Sequence, residues 1–435
     1  MKNKYMIVIS FDAVSCEDLE VLIKLPNFSK MIKEGALIKN VDSIYPSLTY
    51  PAHATIVTGR YPKNHGIINN TVIDFKHDNP NWYWYSKSIK GDTIYDLAEK
   101  QGLKTCSILW PVSGGSKITY NMPEICCTRN YDNQIIKSAM AGSLIYQFKM
   151  NKRFGYLRNG IQQPYLDNFA VEVAKKTIRE KKPNLLLLHL VDVDSQKHNY
   201  GTKSSKVIKA LERHDKRLGE IIEVLKFAGI YNDSTIIALG DHSQLDVKKA
   251  VKLNSILYKN NIIKLKNNKI KSYMAIAKSC DGSSYIYLKD KNDNNTKRKI
   301  KELLNQLKSE VDSPIEEIYE GKDISDLGAD TEADFMVEAK EGYYFVDEVL
   351  GETVEEVLNI DGCKIKHKIS GAHGYLPSRK NYKTFFIAAG KGIKKGVVLK
   401  SGKLINHGPT IAKLMDLNLD NIDGEVEERI LNRIC

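Results

Sequence analysis

The stretch NLLLLHLVDVD, residues 184–194, decides the fold, because its run of leucines is stable only if both faces of the segment are covered. A short run of this kind, bounded by polar residues, predicts a strand buried inside a parallel sheet. Similar apolar runs occur at 5–11 (YMIVISF), 104–110 (KTCSILW), 234–243 (STIIALGDHS) and 383–390 (KTFFIAAG). The sequence therefore predicts several strands of one buried sheet.

Longer amphipathic segments separate these strands. Apolar residues at helical spacing predict helices over 25–36, 91–103, 166–181, 204–229 and 407–417. In the second of these helices, Asp92 is the predicted N-cap. Strands that alternate with helices predict an α/β fold, in which a doubly wound, mostly parallel sheet is flanked by helices.

The composition changes after Asp246. Residues 247–345 are richer in Lys, Asn and Asp, and they combine short apolar runs such as SSYIYL (283–288) with an amphipathic segment. This stretch predicts an α+β insertion, or cap, on the main sheet. Residues 1–246 and 346–435 then form the predicted catalytic core.

The charge and the motifs of the sequence limit the kinds of partner that we expect. The 65 Lys and Arg residues exceed the 53 Asp and Glu residues, which gives a net charge of +12. Such an excess attracts phosphorylated substrates, anionic membranes or nucleic acid. The lysines are scattered, and no nucleic-acid recognition motif is present, so the charge indicates a solvated lysine-rich surface rather than a nucleic-acid partner. The small phosphorylated substrate that we predict rests on the motifs described below. The sequence does not indicate an oligomeric state.

The N-terminal apolar run is short. It spans 5–11 and ends at the acidic Asp12, which is typical of a strand and unlike a secretory leader. No stretch reaches the roughly 18 apolar residues that a membrane span needs. Seven cysteines without a C-x-x-C pair also argue against a disulfide framework. We therefore predict a cytoplasmic protein without a membrane span.

Acidic and histidine residues follow the predicted strands. Because the carboxyl ends of parallel strands line the ligand crevice of an α/β sheet, these distant residues can converge there. A mixture of carboxylates and imidazoles without cysteine suits zinc, with manganese as an alternative. The residues concerned are Asp12, Asp194, His198, Asp241, His242 and His373.

Thr49 directly precedes a predicted helix in the segment SIYPSLTYPAHATIVTGRYPKNHGIINN (43–70). Pro51 suits the first turn of that helix. A hydroxyl at a helix N-terminus lies near free backbone N–H groups and the positive end of the helix dipole, which stabilise a phosphate or a deprotonated oxygen. Taken alone, Thr49 could equally be a simple N-cap.

Together these segments resemble the alkaline phosphatase superfamily, and most closely its nucleotide pyrophosphatase/phosphodiesterase branch. The matching motifs are LTYPAH and TGRYPKNHGI within 43–70, DSQKH at 194–198, GDHS at 240–243 and GAHGY at 371–375, together with Asp12. The resemblance implies a metal-dependent phosphoric ester hydrolase that acts through a covalent phosphothreonine on Thr49.

The resemblance also implies the ligand set of two divalent metal ions. One metal would be bound by Asp194, His198 and His373. The other would be bound by the hydroxyl of Thr49 and by three further side chains, namely Asp12, Asp241 and His242. His53 and His65 lie in the shared motif and are interpreted as supporting residues rather than ligands.

One departure from the branch concerns substrate preference. The branch usually has Asn three residues after the nucleophile, and this chain has Ala52. Tyr50, through its backbone N–H, and Lys117 are therefore the predicted substrate-binding residues. A phosphomonoesterase, a phosphonate hydrolase or a phosphomutase on the same scaffold is the alternative, and a non-catalytic phosphate-binding protein is a more distant one.

Overall fold

The computed structural model describes residues 4–75, 77, 79–129, 132–357 and 369–432. Its strands are β1 (Tyr5–Phe11), β2 (Gly35–Asp42), β3 (Thr105–Ile108), β4 (Tyr120–Met122), β5 (Leu185–Leu190), β6 (Ser234–Leu239), β7 (Leu245–Val251), β8 (Ile263–Lys266), β9 (Lys269–Tyr273), β10 (Ala275–Cys280), β11 (Ser283–Leu288), β12 (Ile315–Glu320), β13 (Phe335–Ala339), β14 (Gly342–Phe345), β15 (Val354–Glu356), β16 (Gly371–Ala372), β17 (Thr384–Gly390) and β18 (Val397–Lys403).

The helices are α1 (Leu19–Leu22), α2 (Pro26–Glu34), α3 (Thr49–Thr58), α4 (Pro62–His65), α5 (Ile94–Lys100), α6 (Gln134–Ala141), α7 (Leu144–Phe154), α8 (Tyr165–Lys181), α9 (Asp192–Tyr200), α10 (Ser205–Phe227), α11 (Leu253–Lys259), α12 (Asn294–Ser309), α13 (Lys322–Asp326) and α14 (His407–Met415). Among the described residues, no helix has both the length and the apolar character needed to cross a bilayer.

The central sheet has eight strands in the order β18-β2-β17-β6-β1-β5-β3-β4. Every neighbouring pair is parallel except the two that β17 forms, with β2 and with β6. The predicted α/β fold, with a mostly parallel sheet flanked by helices, is confirmed.

Both faces of this sheet are buried, which explains the unbroken leucines of β5. Leu186 and Leu188 pack into one apolar cluster, together with residues of α2, α8 and α10. Leu185 and Leu187 pack into a second cluster on the opposite face, with residues of α3, α5 and α14. Alternate residues of a strand point to opposite faces, so a strand covered on both sides must be apolar throughout.

The segment after β6 builds two smaller sheets and a hairpin. Strands β10, β11, β13 and β12 form an antiparallel sheet in that order, while β7 pairs with β14, β15 and β16. Strands β8 and β9 form a separate two-stranded sheet. The division into a core and a cap at 247–345 stays a prediction.

Candidate active site

Three strands of the central sheet deliver site residues at their carboxyl ends. Asp12 directly follows β1, and Asp241 lies two residues after β6. The residue Asp194 lies in the first turn of α9, which begins two residues after β5. Because β1 lies between β5 and β6, these three carboxylates come together at one edge of the sheet.

The first candidate metal group consists of Asp194, His198 and His373, whose ligand atoms lie within 4.8 Å of one another. Asp194 and His198 share one face of α9, and His198 Nε2 is 3.3 Å from Asp194 Oδ1. The other ring nitrogen, Nδ1, is 2.8 Å from the carbonyl oxygen of Gly371. This hydrogen bond keeps a proton on Nδ1, so Nε2 is the nitrogen that would lose its proton and bind a cation.

The second candidate metal group consists of Asp12, Asp241 and His242, again within 4.8 Å of one another. His242 Nε2 is 3.3 Å from Asp12 Oδ1 and 3.4 Å from Asp241 Oδ2. Both carboxylate oxygens are buried and have no hydrogen-bond partner among the described residues. Burial, followed by repulsion from Asp241, raises the pKa of Asp12 well above its usual value. Two buried carboxylates that each keep one oxygen without a donor form a site that a cation would stabilise.

The two groups are contiguous. The rings of His242 and His373 have centroids 4.3 Å apart. Thr49, the first residue of α3, lies on the same edge, with its Oγ1 3.0 Å from His242 Nε2. The structure thus brings together all seven residues predicted to bind metal, with Thr49 beside the second group.

The two groups differ in their access to solvent. The side chains of Asp194 and His198 are 17% and 24% exposed, whereas those of Asp241 and His242 are fully buried. Burial lowers the pKa of His198, but the neighbouring Asp194 carboxylate outweighs this and raises it to about 9. Since the side chains of Asp194 and His198 are partly exposed, the first group lies toward solvent, and the second group lies deeper.

His53 and His65 support helix α3, which begins at Thr49. His53 Nδ1 is 2.8 Å from the carbonyl oxygen of Thr49 and 3.5 Å from Asp241 Oδ2. His65 Nε2 is 3.0 Å from Thr55 Oγ1, and its Nδ1 accepts a hydrogen bond from the backbone N–H of Ile67. Both imidazoles are completely buried. His53 also forms a third group of potential metal ligands with His189 and Asp241.

His189, which the sequence reasoning did not select, lies directly against this site. Its Nε2 is 3.0 Å from Asp12 Oδ2, and its Nδ1 is 3.2 Å from Glu124 Oε2. The imidazole is almost completely buried on β5. The signal in the sequence was that His189 is the one polar residue inside a run of leucines, since a buried polar group needs a hydrogen-bond partner.

Asp281 links the 247–345 segment to the site. It lies in the turn between β10 and β11, and its Oδ2 is 3.6 Å from His373 Nδ1. Burial raises the pKa of the Asp281 carboxyl to about 6. This contact, too, could not be read from the sequence.

The predicted substrate-binding residues lie in different surroundings. The backbone N–H of Tyr50 donates to Asn70 Oδ1 at 2.9 Å, so in this structure that N–H already has a partner. The Tyr50 ring is buried and packs edge-on against Trp82, with centroids 5.1 Å apart. Lys117 is exposed on the loop before β4. The assignment of Tyr50 and Lys117 to substrate binding stays a prediction.

Comparison with known proteins identifies the family. The model of the type I phosphodiesterase/nucleotide pyrophosphatase family matches residues 6–376, which is most of the chain. The chain belongs to this family. The predicted resemblance to the nucleotide pyrophosphatase/phosphodiesterase branch is thereby confirmed.

Two relatives show the extent of the sequence similarity. Ectonucleotide pyrophosphatase/phosphodiesterase family member 1 of Homo sapiens is 32% identical over an alignment of 248 residues, and the match covers 54% of this chain and 23% of the relative. A venom phosphodiesterase of Crotalus durissus collilineatus is 28% identical over an alignment of 234 residues, and the match covers 51% of this chain and 24% of the relative. The chain thus spans about a quarter of the length of these curated relatives.

Solved structures of the phosphodiesterase/nucleotide pyrophosphatase type share the fold. Murine ectonucleotide pyrophosphatase/phosphodiesterase 5, solved as an inactive variant in complex with AMP, has a TM-score of 0.68 at 18% identity, and covers 99% of this chain and 100% of that structure. The human form of the same protein has a TM-score of 0.67 at 19% identity, with the same coverage of both chains. At this identity the likeness concerns the fold alone.

Proposed function

We propose that this protein is a two-metal phosphate ester hydrolase of the phosphodiesterase/nucleotide pyrophosphatase type, with Thr49 as its nucleophile. The observation that carries the proposal is the Thr49 hydroxyl, which lies at the N-terminus of α3 and 3.0 Å from His242 in a pocket of metal-competent side chains. Membership of the family supports hydrolysis of phosphate esters, and a nucleotide-like substrate is consistent with it.

The donor set fits two divalent cations. Asp194, His198 and His373 would hold one of them. The other would be held by the Thr49 hydroxyl together with Asp12, Asp241 and His242. Carboxylate oxygens and imidazole nitrogens without cysteine suit zinc, and manganese is the alternative. Bound divalent cations would neutralise the phosphate charge and lower the pKa of a hydroxyl that coordinates them.

Thr49 would act in two displacement steps. In the first, Oγ1 attacks phosphorus, the bond to the leaving oxygen breaks, and the hydroxyl proton ends on the leaving group. This yields a phosphothreonine ester. In the second, water attacks the same phosphorus and Thr49 regains its hydroxyl as the phosphate product departs. The N-terminal end of α3 favours negative charge at both stages.

His189 would hold a metal ligand in place, and Asn70 would bind a phosphate oxygen of the substrate. His189 would hold Asp12 through its Oδ2, while Asp12 Oδ1 faces His242, as the partner of a metal ligand typically does. Asn70 is fixed beside Thr49 because its Oδ1 accepts the Tyr50 N–H, and its amide nitrogen carries two further donors for a phosphate oxygen. Ala52 has no such donor, and it is completely buried against the sheet.

A substrate comparison tests the proposal. Metal-replete protein should hydrolyse bis(p-nitrophenyl) phosphate, nucleoside triphosphates or dinucleotides faster than p-nitrophenyl phosphate. Faster turnover of the monoester would instead favour the phosphomonoesterase alternative. If the metal-replete protein turned over no phosphate ester or phosphonate, the catalytic assignment would be wrong.

A further inference from the structure

The helices α6 and α7 and the loop that follows them expose an unusual number of large apolar side chains. Their exposed fractions run from 57% to 81%. Apart from Tyr165, which directly follows this stretch, the other exposed large apolar residues are spread along the rest of the described chain. We call this surface the apolar face, and it consists of Ile135, Ile136, Met140, Leu144, Ile145, Phe148, Tyr156 and Ile161.

The opposite sides of these helices are already packed. On α7, Tyr146 and Met150 are buried in the core, and the Tyr146 hydroxyl lies 2.8 Å from Thr177 Oγ1 of α8. On α6, Ala141 packs into the cluster that contains Tyr50 and Trp84. The apolar face is therefore not needed for attachment to the core. A helix with apolar residues on both sides normally has a partner on each of them.

The charge around the apolar face has a single sign. From 133 to 166 the sequence contains five basic residues and no acidic residue. Four of the five are exposed and form no ion pair within the described ranges, namely Lys149, Lys152, Arg153 and Arg158. The fifth, Lys137, pairs with Asp132 at the edge of this region.

We propose that the apolar face binds the surface of a membrane that contains anionic phospholipids. Apolar side chains on an amphipathic helix enter the boundary between headgroups and acyl chains, and neighbouring Lys and Arg residues are attracted by anionic headgroups. A second copy of this chain fits less well, because two such faces would bring like charges together. The net charge of +12 acts in the same direction. The proposal does not depend on the catalytic assignment.

Vesicle sedimentation with the full chain tests the proposal. We expect the protein to sediment with phosphatidylcholine–phosphatidylserine vesicles, to bind pure phosphatidylcholine vesicles weakly, and to lose much of its binding at high salt. The double variant Ile145→Glu/Phe148→Glu should bind at least roughly tenfold more weakly, because two charges must then enter the interface. The variant Lys149→Gln/Lys152→Gln should lose the preference for the anionic vesicles.

Phe227→Glu is the matched control, because Phe227 is 78% exposed as the last residue of α10 and does not belong to the apolar face. It should bind vesicles as the unchanged protein does. Thermal unfolding of each variant checks that the fold is retained. The proposal is overturned if the unchanged protein ignores anionic vesicles, or if Phe227→Glu weakens binding as much as the double variant. It is equally overturned if Ile145→Glu/Phe148→Glu dissolves a dimer seen by analytical ultracentrifugation while vesicle binding is absent.

Discussion

The hydroxyl oxygen of Thr49 lies 3.0 Å from Nε2 of His242, so the proposed nucleophile is within hydrogen-bonding distance of a proposed metal ligand. Thr49→Ala should therefore lower turnover by roughly 10³-fold or more, because it removes the hydroxyl that forms the covalent intermediate in the proposed mechanism. Steady-state kinetics with a diester substrate measures the loss.

Thr49→Ser is the matched control, since it keeps the hydroxyl and should keep a substantial part of the activity. Metal content should remain near that of the unchanged protein in both variants, because three side chains of the second group are retained. If Thr49→Ala still turned over at a comparable rate, the hydroxyl would not be the nucleophile.

Removal of divalent cations should stop turnover and lower thermal stability together. Without a cation, the buried oxygens Asp12 Oδ1 and Asp241 Oδ2 have no hydrogen-bond donor among the described residues, and the two carboxylates repel each other. Treatment with EDTA should lower both the rate and the unfolding midpoint, and added zinc or manganese should restore both. An enzyme that is fully active after exhaustive chelation, with no bound metal by elemental analysis, would contradict the two-metal assignment.

His189 should tune the second metal group without contacting the substrate. Its hydrogen bond to Asp12 fixes that carboxylate, and loss of such a supporting residue typically costs about 10–100-fold in metal affinity. We expect His189→Ala to lose affinity on this scale, and His189→Gln to recover part of it by donating to Asp12. Competition with a chromophoric chelator measures the affinity, and unfolding midpoints separate this effect from general destabilisation. Equal metal affinity in all three proteins would remove His189 from this role.

The sequence was sufficient to place the site residues that closely follow a predicted strand. Asp12 and Asp241 could be placed because the carboxyl ends of the strands in a parallel sheet all lie at one edge of the sheet. The partner of His189 could not be predicted. Its imidazole is held by Asp12 and by Glu124 on the loop after β4, and only the packing of that loop brings Glu124 within reach.

Competition between neighbouring residues for the N-cap position of a helix also limited prediction from the sequence. Asp92 was expected to cap α5, and this was wrong, because Thr93 is the N-cap. The Thr93 side chain accepts the backbone N–H of Asp96, and the Asp96 carboxylate accepts the N–H of Thr93, which satisfies two free donors at once. Asp92 instead pairs with Lys100 at the surface. Two adjacent residues of similar capping strength can be distinguished only by their partners three residues later.

His65 should make the fold sensitive to acid. Burial lowers the pKa of His65 from 6.5 to about 3, and the hydrogen bonds agree with a neutral ring, because Nδ1 accepts the Ile67 N–H and cannot do so once protonated. The unfolded chain takes up this proton near pH 6.5, whereas the folded chain resists it until about pH 3. The stabilising contribution of His65 is therefore complete above pH 6.5 and is lost as the pH falls toward 3, with a slope on the order of 1.4 kcal/mol per pH unit.

Denaturant unfolding at several pH values between 4.5 and 6.5 measures this contribution. His65→Asn retains an acceptor for the Ile67 N–H but does not titrate, so other acid-sensitive groups affect both proteins alike. We expect the variant to be less stable than the unchanged protein at pH 7, since a buried imidazole has been lost, and we expect this difference to shrink as the pH falls. A difference in unfolding free energy that stays constant over this pH range would show that His65 is not held neutral by burial.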